Sequence, residues 1–527
     1  MMWNFQRTLK QSKPKKNSKM KFIKISVFFL SLLIVASCTK DDQKIDFTLL
    51  QLNDVYEIAP IQGGEFGGMA RVETVHQDLL KENKNTLLVM AGDFLNPSLL
   101  GTLKVDGERL RGKQMVSVMN AMNFDLVAFG NHEFDVPQKD LQKRLNESNF
   151  PWISANVKEK TETGTTFFHK EIKGEKVPLT PSFIKEFSDT DGTKIKIGFI
   201  SVCIPSNPKE YVVYEDMYAQ AKAAYEDLKD SVDVVFGLTH VKIAQDKKIA
   251  LLLPELPLIM GGHEHTSRSV SVGNTVITKA DANAKTVYIH RISYDKKTKK
   301  ARIVSELKAI NSKIKTDVKV GAIVAQWQKV LKVKIKEIVS NPTAVIYTAK
   351  TPLDGRDTPI RSVQTNLGKI ITQSMSFAFD DQVDCALVNG GSIRIDDALE
   401  GAITTVDIFR VLPYGGAILK VKISGNLLKR VLDYGLLAAG TGAYLQRFQA
   451  EKIGSNWYIK NKPLDLNKTY DVAFSEYLLK GFDIPFLSEK NSNVLSVYHP
   501  KSTEFGFDIR RAVVSYLTSE TKKSVPN

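Results

Sequence analysis

The sequence predicts an α/β protein of two domains joined by a helix, and three observations carry that prediction. From about Asp46 to Ile303 short apolar runs alternate with helical stretches such as Glu215 to Val232, the pattern of a layered α/β domain. Residues 316–339 follow with helical spacing, Gly321 as their one breaker, and a stop at Asn341-Pro342. Beyond Thr351 a second α/β texture begins, with a helix over 362–379, short strands around CALVNGG and AILKVKIS, and enough apolar residues for a core of its own. With 527 residues, 43% apolar and 25% charged, the chain is ordinary globular material for two or three domains.

The first element along the chain is a targeting segment rather than part of the fold. Residues 1 to 37 carry eight basic side chains and no acid, so more than half of the formal +15 lies there and +7 remains for the rest. The basic excess is therefore no argument for a nucleic-acid partner, and none is expected. From Met20, read as the natural start, MKFIK leads into ISVFFLSLLIVA and then Ser37-Cys38, the charged, apolar and small-residue succession of a secretory signal. The apolar run is short for a membrane-spanning helix. Cys38 directly after IVAS resembles a bacterial lipobox. That resemblance implies export, a lipidated Cys38 as the membrane partner, and anchorage to the outer membrane on its periplasmic side or at the cell surface. Thr39-Lys40-Asp41-Asp42 resembles the acidic tether of surface lipoproteins. Cys203 and Cys385 lie far apart, so no disulfide framework is expected and both read as buried apolar residues.

Five apolar runs in the first half each end in a residue able to bind a metal ion. They are FTLLQLND at Asp54, TLLVMAGD at Asp93, LVAFGNHEFD at Asn131 and His132, VVFGLTH at His240, and LIMGGHEH at His263 and His265. In an open α/β sheet the site lies outside the carboxyl ends of the strands. Carboxylates, an amide and imidazoles arriving from five strand ends therefore describe a two-metal hydrolase. Two neighbouring cations need a shared carboxylate, and Asp93 is the natural bridge. Asn131 offers a neutral oxygen, His132 beside it points elsewhere and can serve the substrate, and Gly130 lets the turn approach closely. His263 and His265 fall on one face of an extended segment, or address two neighbouring ions from a short turn. Four of the eight histidines fall in these motifs, while His76, His169, His290 and His499 have no such context.

Asp54, Gly92-Asp93, Gly130-Asn131-His132-Glu133, His240 and Gly262-His263-Glu264-His265 together resemble the signature of calcineurin-like metallophosphoesterases. Asn389-Gly390-Gly391-Ser392-Ile393-Arg394 resembles the NGGxIR motif of the 5'-nucleotidase family, and the likeness runs over about residues 46 to 515. It implies a four-layer α/β metallophosphoesterase sandwich at 38–310, a connecting helix and linker at 311–350, and a mixed α/β substrate-binding domain at 351–527. It implies two divalent ions (Zn, Mn, Co or Fe), with Asp54 and His265 on one, His240, His263 and Asn131 on the other, and Asp93 between them. His132 and Asp135 become a catalytic dyad, since a carboxylate can hold an imidazole cationic to stabilise the phosphoryl group or protonate the leaving oxygen. The chain departs from the family's Asp-x-His at Asp54-Val55-Tyr56. Tyr56 either ligates as a phenolate, favouring a harder ion such as ferric iron, or stands aside while water or Glu57 fills the position.

For the second domain the same resemblance implies a nucleotide substrate whose base is clamped between two aromatic rings, with arginines near the phosphate or ribose. Arg394 is the firmest match and Asn389 opens its motif. Arg430 in SGNLLKR is a second candidate arginine. Tyr477 matches one clamp ring, Asp483 the acid that holds ribose hydroxyls, and the partner ring is Tyr444 or Phe448 of GAYLQRF. Gly481-Phe482-Asp483-Ile484 stands where the family has GGDG, which is expected to narrow the loop. The implied enzyme is a metal-dependent phosphoric monoester hydrolase, removing phosphate from nucleoside 5'-monophosphates or related nucleotides by in-line attack of a metal-bound hydroxide. The altered loop leaves open the same scaffold acting on 2',3'-cyclic nucleotides, UDP-sugars or a sulfur ester. Tyr56 and the lipid tether leave open a surface binding protein on a spent phosphatase fold.

Overall fold

The computed structural model describes residues 42–205 and 209–524, so Met20, Cys38 and the rest of the targeting segment lie outside the described residues. Two six-stranded sheets build the first domain. In spatial order one runs Lys300–Ala309, Thr286–Asp295, Lys44–Leu52, Thr86–Met90, Leu126–Ala128 and Trp152–Ile153. The other runs Ser182–Ser188, Lys194–Ile200, Val234–Thr239, Leu258–Gly261, Thr275–Lys279 and Arg268–Val272. The last four strands of the first sheet pair in parallel, and so do the middle four of the second. Parallel strands covered on both faces need continuous apolar runs, and these have them. Leu49, Val89, Phe199, Phe236, Leu238 and Met260 meet between the sheets. Their neighbours Leu50, Leu88, Met90 and Val127 point the other way, into the core under the helices Met69–Glu82, Lys113–Ala121 and Gln138–Glu147. Met217–Leu228 and Ile243–Leu252 cover the far face of the second sheet. The result is the four-layer sandwich that the family resemblance implies.

Caps explain where helices begin. The stretch expected from Glu215 starts at Met217, because the Asp216 side chain accepts from the backbone N–H of Tyr218 and Ala219. Asp317 likewise accepts from Val320 N (2.8 Å) and starts Val318–Lys336. This connecting helix is no bare rod: it packs on Met69–Glu82 and Lys113–Ala121, and it buries Val320, Val324, Leu331 and Ile335 in the first domain's core.

In the second domain the sheet order is Leu445–Phe448, Cys385–Asn389, Thr469–Ser475, Ile418–Ser424 and Val494–Tyr498, with one parallel pair among antiparallel ones. Asn366–Phe377 and Ile509–Ser524 cover one face and Gly425–Leu437 the other. The first of these, expected over 362–379, begins after Thr365, whose hydroxyl accepts from Gly368 N. Cys203 and Cys385 are both free and buried, as read from the sequence. Among the described residues no helix is long and apolar enough to cross a membrane.

Candidate active site

The proposed ligands sit just past the carboxyl ends of parallel strands. Asp54, Asp93 and Asn131 follow three strands of the first sheet, and His240 and His263 follow two of the second. Asp54, Asp93 and His263 all hold positive φ (53°, 57° and 83°), a conformation costing roughly 1–3 kcal/mol for a residue with a Cβ. Such strain persists only where surrounding contacts fix it, and two kinds of contact do so here. One is close approach, since a Cβ on Gly130 would overlap the Asp93 carboxylate. The other is a buried tie under each sheet's loops.

Glu133 is the tie of the first sheet. Its carboxylate is fully buried and accepts from four backbone amides: Gly130 N (2.6 Å), Asp93 N (2.9 Å), Phe94 N (2.7 Å) and Leu95 N (3.1 Å). It thereby fastens the Asp93 loop to the Asn131 loop. Burial, with the Asp93 charge adding to it, pushes the Glu133 carboxyl up to about 7. Lys279 does the same work in the second sheet. Its buried ammonium donates to the carbonyls of Val241 and Gly262 and pairs with Asp246 (2.8 Å) and Glu264, joining the His240 loop to the His263 loop. Sequence reasoning gave neither residue a role. Glu133 was visible inside GNHEFD, but Lys279 carried no signal in its own neighbourhood.

Asp54, Asp93 and His240 bring one ligand atom each within 4.8 Å of one another. The His240 ring decides what that space suits. Its Nδ1 lies 2.8 Å from the Ala91 carbonyl, which can only accept, so Nδ1 carries the hydrogen. In the neutral ring Nε2 then aims a lone pair at Asp93 Oδ2 (3.1 Å) and Asp54 Oδ1 (3.9 Å), buried and without a hydrogen-bond partner. A lone pair facing two carboxylates is a repulsive arrangement unless a cation lies between, and the donor types suit a divalent ion. With only a proton to fill that place, burial opposes charge on His240 but Asp93 and Asp54 overcome it and raise the ring to about 9. Burial also works against charge on Asp54, yet His240 and His265 hold its carboxyl well below the usual range.

The remaining predicted ligands divide into two sides. His263 Nδ1 is 3.2 Å from Asn131 Oδ1 and its ring centroid 5.5 Å from that of His240; burial, then His240, lowers its pKa to about 4, so it is a neutral imidazole. On the other side His265 Nε2 lies 3.3 Å from Asp54 Oδ1 and 3.0 Å from the Tyr56 hydroxyl. That hydroxyl is also 3.4 Å from both Asp54 Oδ1 and Asp93 Oδ2, so Tyr56 faces the cluster rather than standing aside. Glu57 turns away from the cluster, towards Leu99 N and the Arg410 guanidinium of the second domain, each at 3.5 Å.

The imidazole of His132 donates through Nδ1 to Asp135 Oδ2 (2.7 Å), while its backbone N–H donates to Asp93 Oδ1 (2.8 Å). Burial disfavours charge on this ring, but Asp93 and Asp135 outweigh it and raise its pKa to about 10. Asp135 Oδ2 also accepts from Asn96 Nδ2 (3.1 Å) and from Arg394 Nη2 (3.0 Å), which arrives from the second domain.

The other second-domain candidates part company. Asn389 Nδ2 donates to Asp483 Oδ2 (2.7 Å), and the Tyr477 hydroxyl donates to Asp483 Oδ1 (3.2 Å), so these three form one cluster. Tyr444 lies beside it, its carbonyl accepting from Gly390 N, but its side chain is only 3% exposed. Phe448 is at the far end of its strand, opposite Ala386, packed against a core cluster and lining a surface hollow with Gln364 and Arg447. Arg430 is exposed and lies over the Phe486 ring at 4.5 Å. In the altered loop Ile484 is buried in the domain core and narrows nothing. Phe482 instead projects, 66% exposed, with its ring 5.4 Å from that of Tyr477.

Comparison with known proteins agrees with this geometry. Residues 47–267 match the calcineurin-like phosphoesterase model and residues 345–489 match that of the 5'-nucleotidase C-terminal domain. The chain belongs to the 5'-nucleotidase family. That is a family of metal-dependent phosphoric monoester hydrolases, and its calcineurin-like domains use divalent metals. Rat 5'-nucleotidase is 26% identical over 471 residues, spanning 79% of this chain and 78% of that one. Snake venom 5'-nucleotidase of Naja atra is 26% identical over 514 residues, spanning 85% and 92%. Among solved structures, a 5'-nucleotidase precursor from Thermus thermophilus superposes with a TM-score of 0.64 at 23% identity, covering 90% of this chain and 97% of its own, which is a likeness of fold.

Glu133→Ala strands four buried amides and is expected to cost on the order of 4 kcal/mol or more in urea unfolding of the metal-free protein. Glu133→Gln, which keeps one acceptor oxygen, is expected to recover part of that. A Glu133→Ala protein within about 0.5 kcal/mol of wild type would show that the tie is dispensable.

Proposed function

We propose that the chain is an exported, lipid-anchored hydrolase that uses two divalent ions to remove phosphate from nucleoside 5'-monophosphates or related nucleotides. The observation that carries the reading is the orphaned His240 Nε2 facing two buried carboxylates, with the His132–Asp135 pair beside it. Asp54, Asp93, Asn131, His240, His263 and His265 are the residues that would hold the ions, with Zn, Mn, Co or Fe suiting this donor set. Bound there, the ions would supply positive charge to the phosphoryl oxygens and acidify the attacking water. Export and anchorage rest on the signal-like segment and Cys38.

The chain's own groups do the rest. Asp135 fixes the His132 ring through Nδ1 and keeps it cationic, so Nε2–H is available to donate to a phosphoryl or leaving oxygen. Arg394 brings a second fixed cation to the same point. Asp483, held between Asn389 and Tyr477, is an acceptor suited to sugar hydroxyls, and the exposed faces of Tyr477 and Phe482 suit stacking of a base.

Phe482 also favours a second reading. Its ring projects where the family has glycine, so the leaving-group pocket is reshaped while the phosphate end is not. The same scaffold would then act on 2',3'-cyclic nucleotides, UDP-sugars or a sulfur ester. A panel of AMP, UDP-glucose and 2',3'-cyclic AMP separates the two: AMP turned over fastest supports the first, and either of the others in front selects the second.

His132→Ala is expected to lower kcat by about 10²–10⁴-fold and Asp93→Ala by no less, measured as phosphate release; unchanged turnover in both would sink the assignment. The dyad also makes a signed prediction for pH. The Asp135 charge raises the His132 pKa, so the protonated ring is present below that pKa and is lost as pH rises through it. Asp135→Asn removes the charge, and the alkaline limb of kcat/KM is expected to move to lower pH by about 1–3 units. An unmoved limb would show that His132 is not the group titrating there.

A further inference from the structure

Around His265 Nε2 three oxygens gather from two domains, and a fourth lies beside one of them. The Tyr56 hydroxyl is at 3.0 Å, Asp54 Oδ1 at 3.3 Å and Asp396 Oδ2, from the second domain, at 3.4 Å; Asp93 Oδ2 follows, 3.4 Å from the Tyr56 hydroxyl. Donors bound at about 2.1 Å from one ion lie roughly 3.0 Å apart at right angles and 3.4 Å apart at tetrahedral angles. The three spacings around His265 Nε2 and the one between Tyr56 and Asp93 match those of neighbouring donors to a single ion. Sequence reasoning gave Asp396 no part in the site.

Asp396 is built into place rather than drifting there. Its backbone holds φ at 44°, in the left-handed region, and its Oδ1 accepts from Asp357 N at 2.6 Å, which leaves Oδ2 to face the ring. Its own carbonyl accepts from His265 Nδ1–H, fixing the tautomer that turns Nε2 to the cluster. The next residue, Asp397, is pinned to the first domain by Lys285 at 3.0 Å.

We propose that Asp396 is a donor to the cation on the Asp54–His265 side, so that this position is assembled from both domains and favours a hard, oxygen-preferring ion. The inference rests on the two-ion reading above. Three carboxylate oxygens, a phenolic oxygen and a single imidazole make an oxygen-rich set, whereas the other side has His240, His263, the Asn131 amide and a share of Asp93. Oxygen donors suit manganese or ferric iron, and imidazoles suit zinc. The two positions therefore differ in preference, and the loss of one imidazole to Tyr56 is made good by the second domain.

The test is metal binding by the full-length chain, read as ions retained per chain and as affinity in chelator competition with manganese and with zinc. Wild type is expected to hold two ions. Asp396→Ala and Asp396→Gly, the latter keeping the left-handed backbone easy, are each expected to weaken one manganese ion by on the order of 10–100-fold or more while leaving one zinc ion at wild-type affinity. Asp396→Asn, with one oxygen left, is expected to fall between. If Asp396→Ala and Asp396→Gly both keep two ions at wild-type affinity, Asp396 is only a charge partner of His265 and the inference is wrong. A wild-type protein that holds less than one ion overturns the two-ion reading itself, and this inference with it. Circular dichroism and the unfolding midpoint of each variant separate a lost ligand from a lost fold.

Discussion

Two carboxylates, Asp54 and Asp93, lie fully buried at the meeting of two sheets, and the constraint they impose runs through everything around them. A buried charge is tolerated only when it is paired and hydrogen-bonded. Asp54 accordingly takes Asn53 Nδ2 and His263 N, Asp93 takes His132 N, and both face His240. Those contacts come from loops of both sheets, so the demand for compensation also sets how closely the loops approach. The left-handed backbones at Asp54, Asp93 and His263 are the local cost of that approach. Placing a glycine at position 130, where a Cβ would overlap a ligand, is the sequence's answer to it.

The ties beneath the loops use opposite charges for one purpose. Glu133 gathers the amide hydrogens of the Asp93 and Asn131 loops, and Lys279 gathers the carbonyl oxygens of the His240 and His263 loops. Each sheet thus presents its ligands on a rigid pair of turns. Across the sheets the join is direct, through His263 N to Asp54 Oδ2 and His240 Nδ1 to the Ala91 carbonyl. A site held this way is positioned before any substrate arrives, which is what electrostatic stabilisation of a developing charge requires.

How much of this was legible in the sequence depended on the range of the interaction. The strands, their alternation with helices and the strand-end ligands were readable, because apolar runs ending in Asp, Asn or His are local patterns; the count of four layers came from the family resemblance. Helix starts at Asp216, Asp317 and Thr365 were refined only by their caps, which are also local. Lys279 and Asp396 were not readable, since each acts on a loop 15 or more residues away and neither stands in a motif. The choice between Tyr444 and Phe448 shows the same limit. Four positions apart, one just before and the other at the end of the strand Leu445–Phe448, they share a face by period, so alternation cannot rank them. Register can: Tyr444 lies beside the loop at Gly390, and Phe448 is opposite Ala386 at the far end of the neighbouring strand.

One loop of the second domain, from Asn389 to Asp397, touches every part of the proposed chemistry. Asn389 holds Asp483 at the leaving-group end, Arg394 sits on Asp135 of the dyad, Asp396 faces His265, and Asp397 is pinned by Lys285. Charge explains why such a loop can rest there. Arg394 and Lys285 bring cations to acids, while Asp396 brings an acid to a histidine, so the closed arrangement leaves few charges unanswered. A phosphate entering the site carries negative charge to the same place and competes with Asp135 for Arg394. Under the proposed function the guanidinium would pass from neutralising the dyad to neutralising the substrate without leaving the site, and His132 would retain Asp135 as its partner. The residues that close the site on itself are in this way the ones that would recognise what enters it.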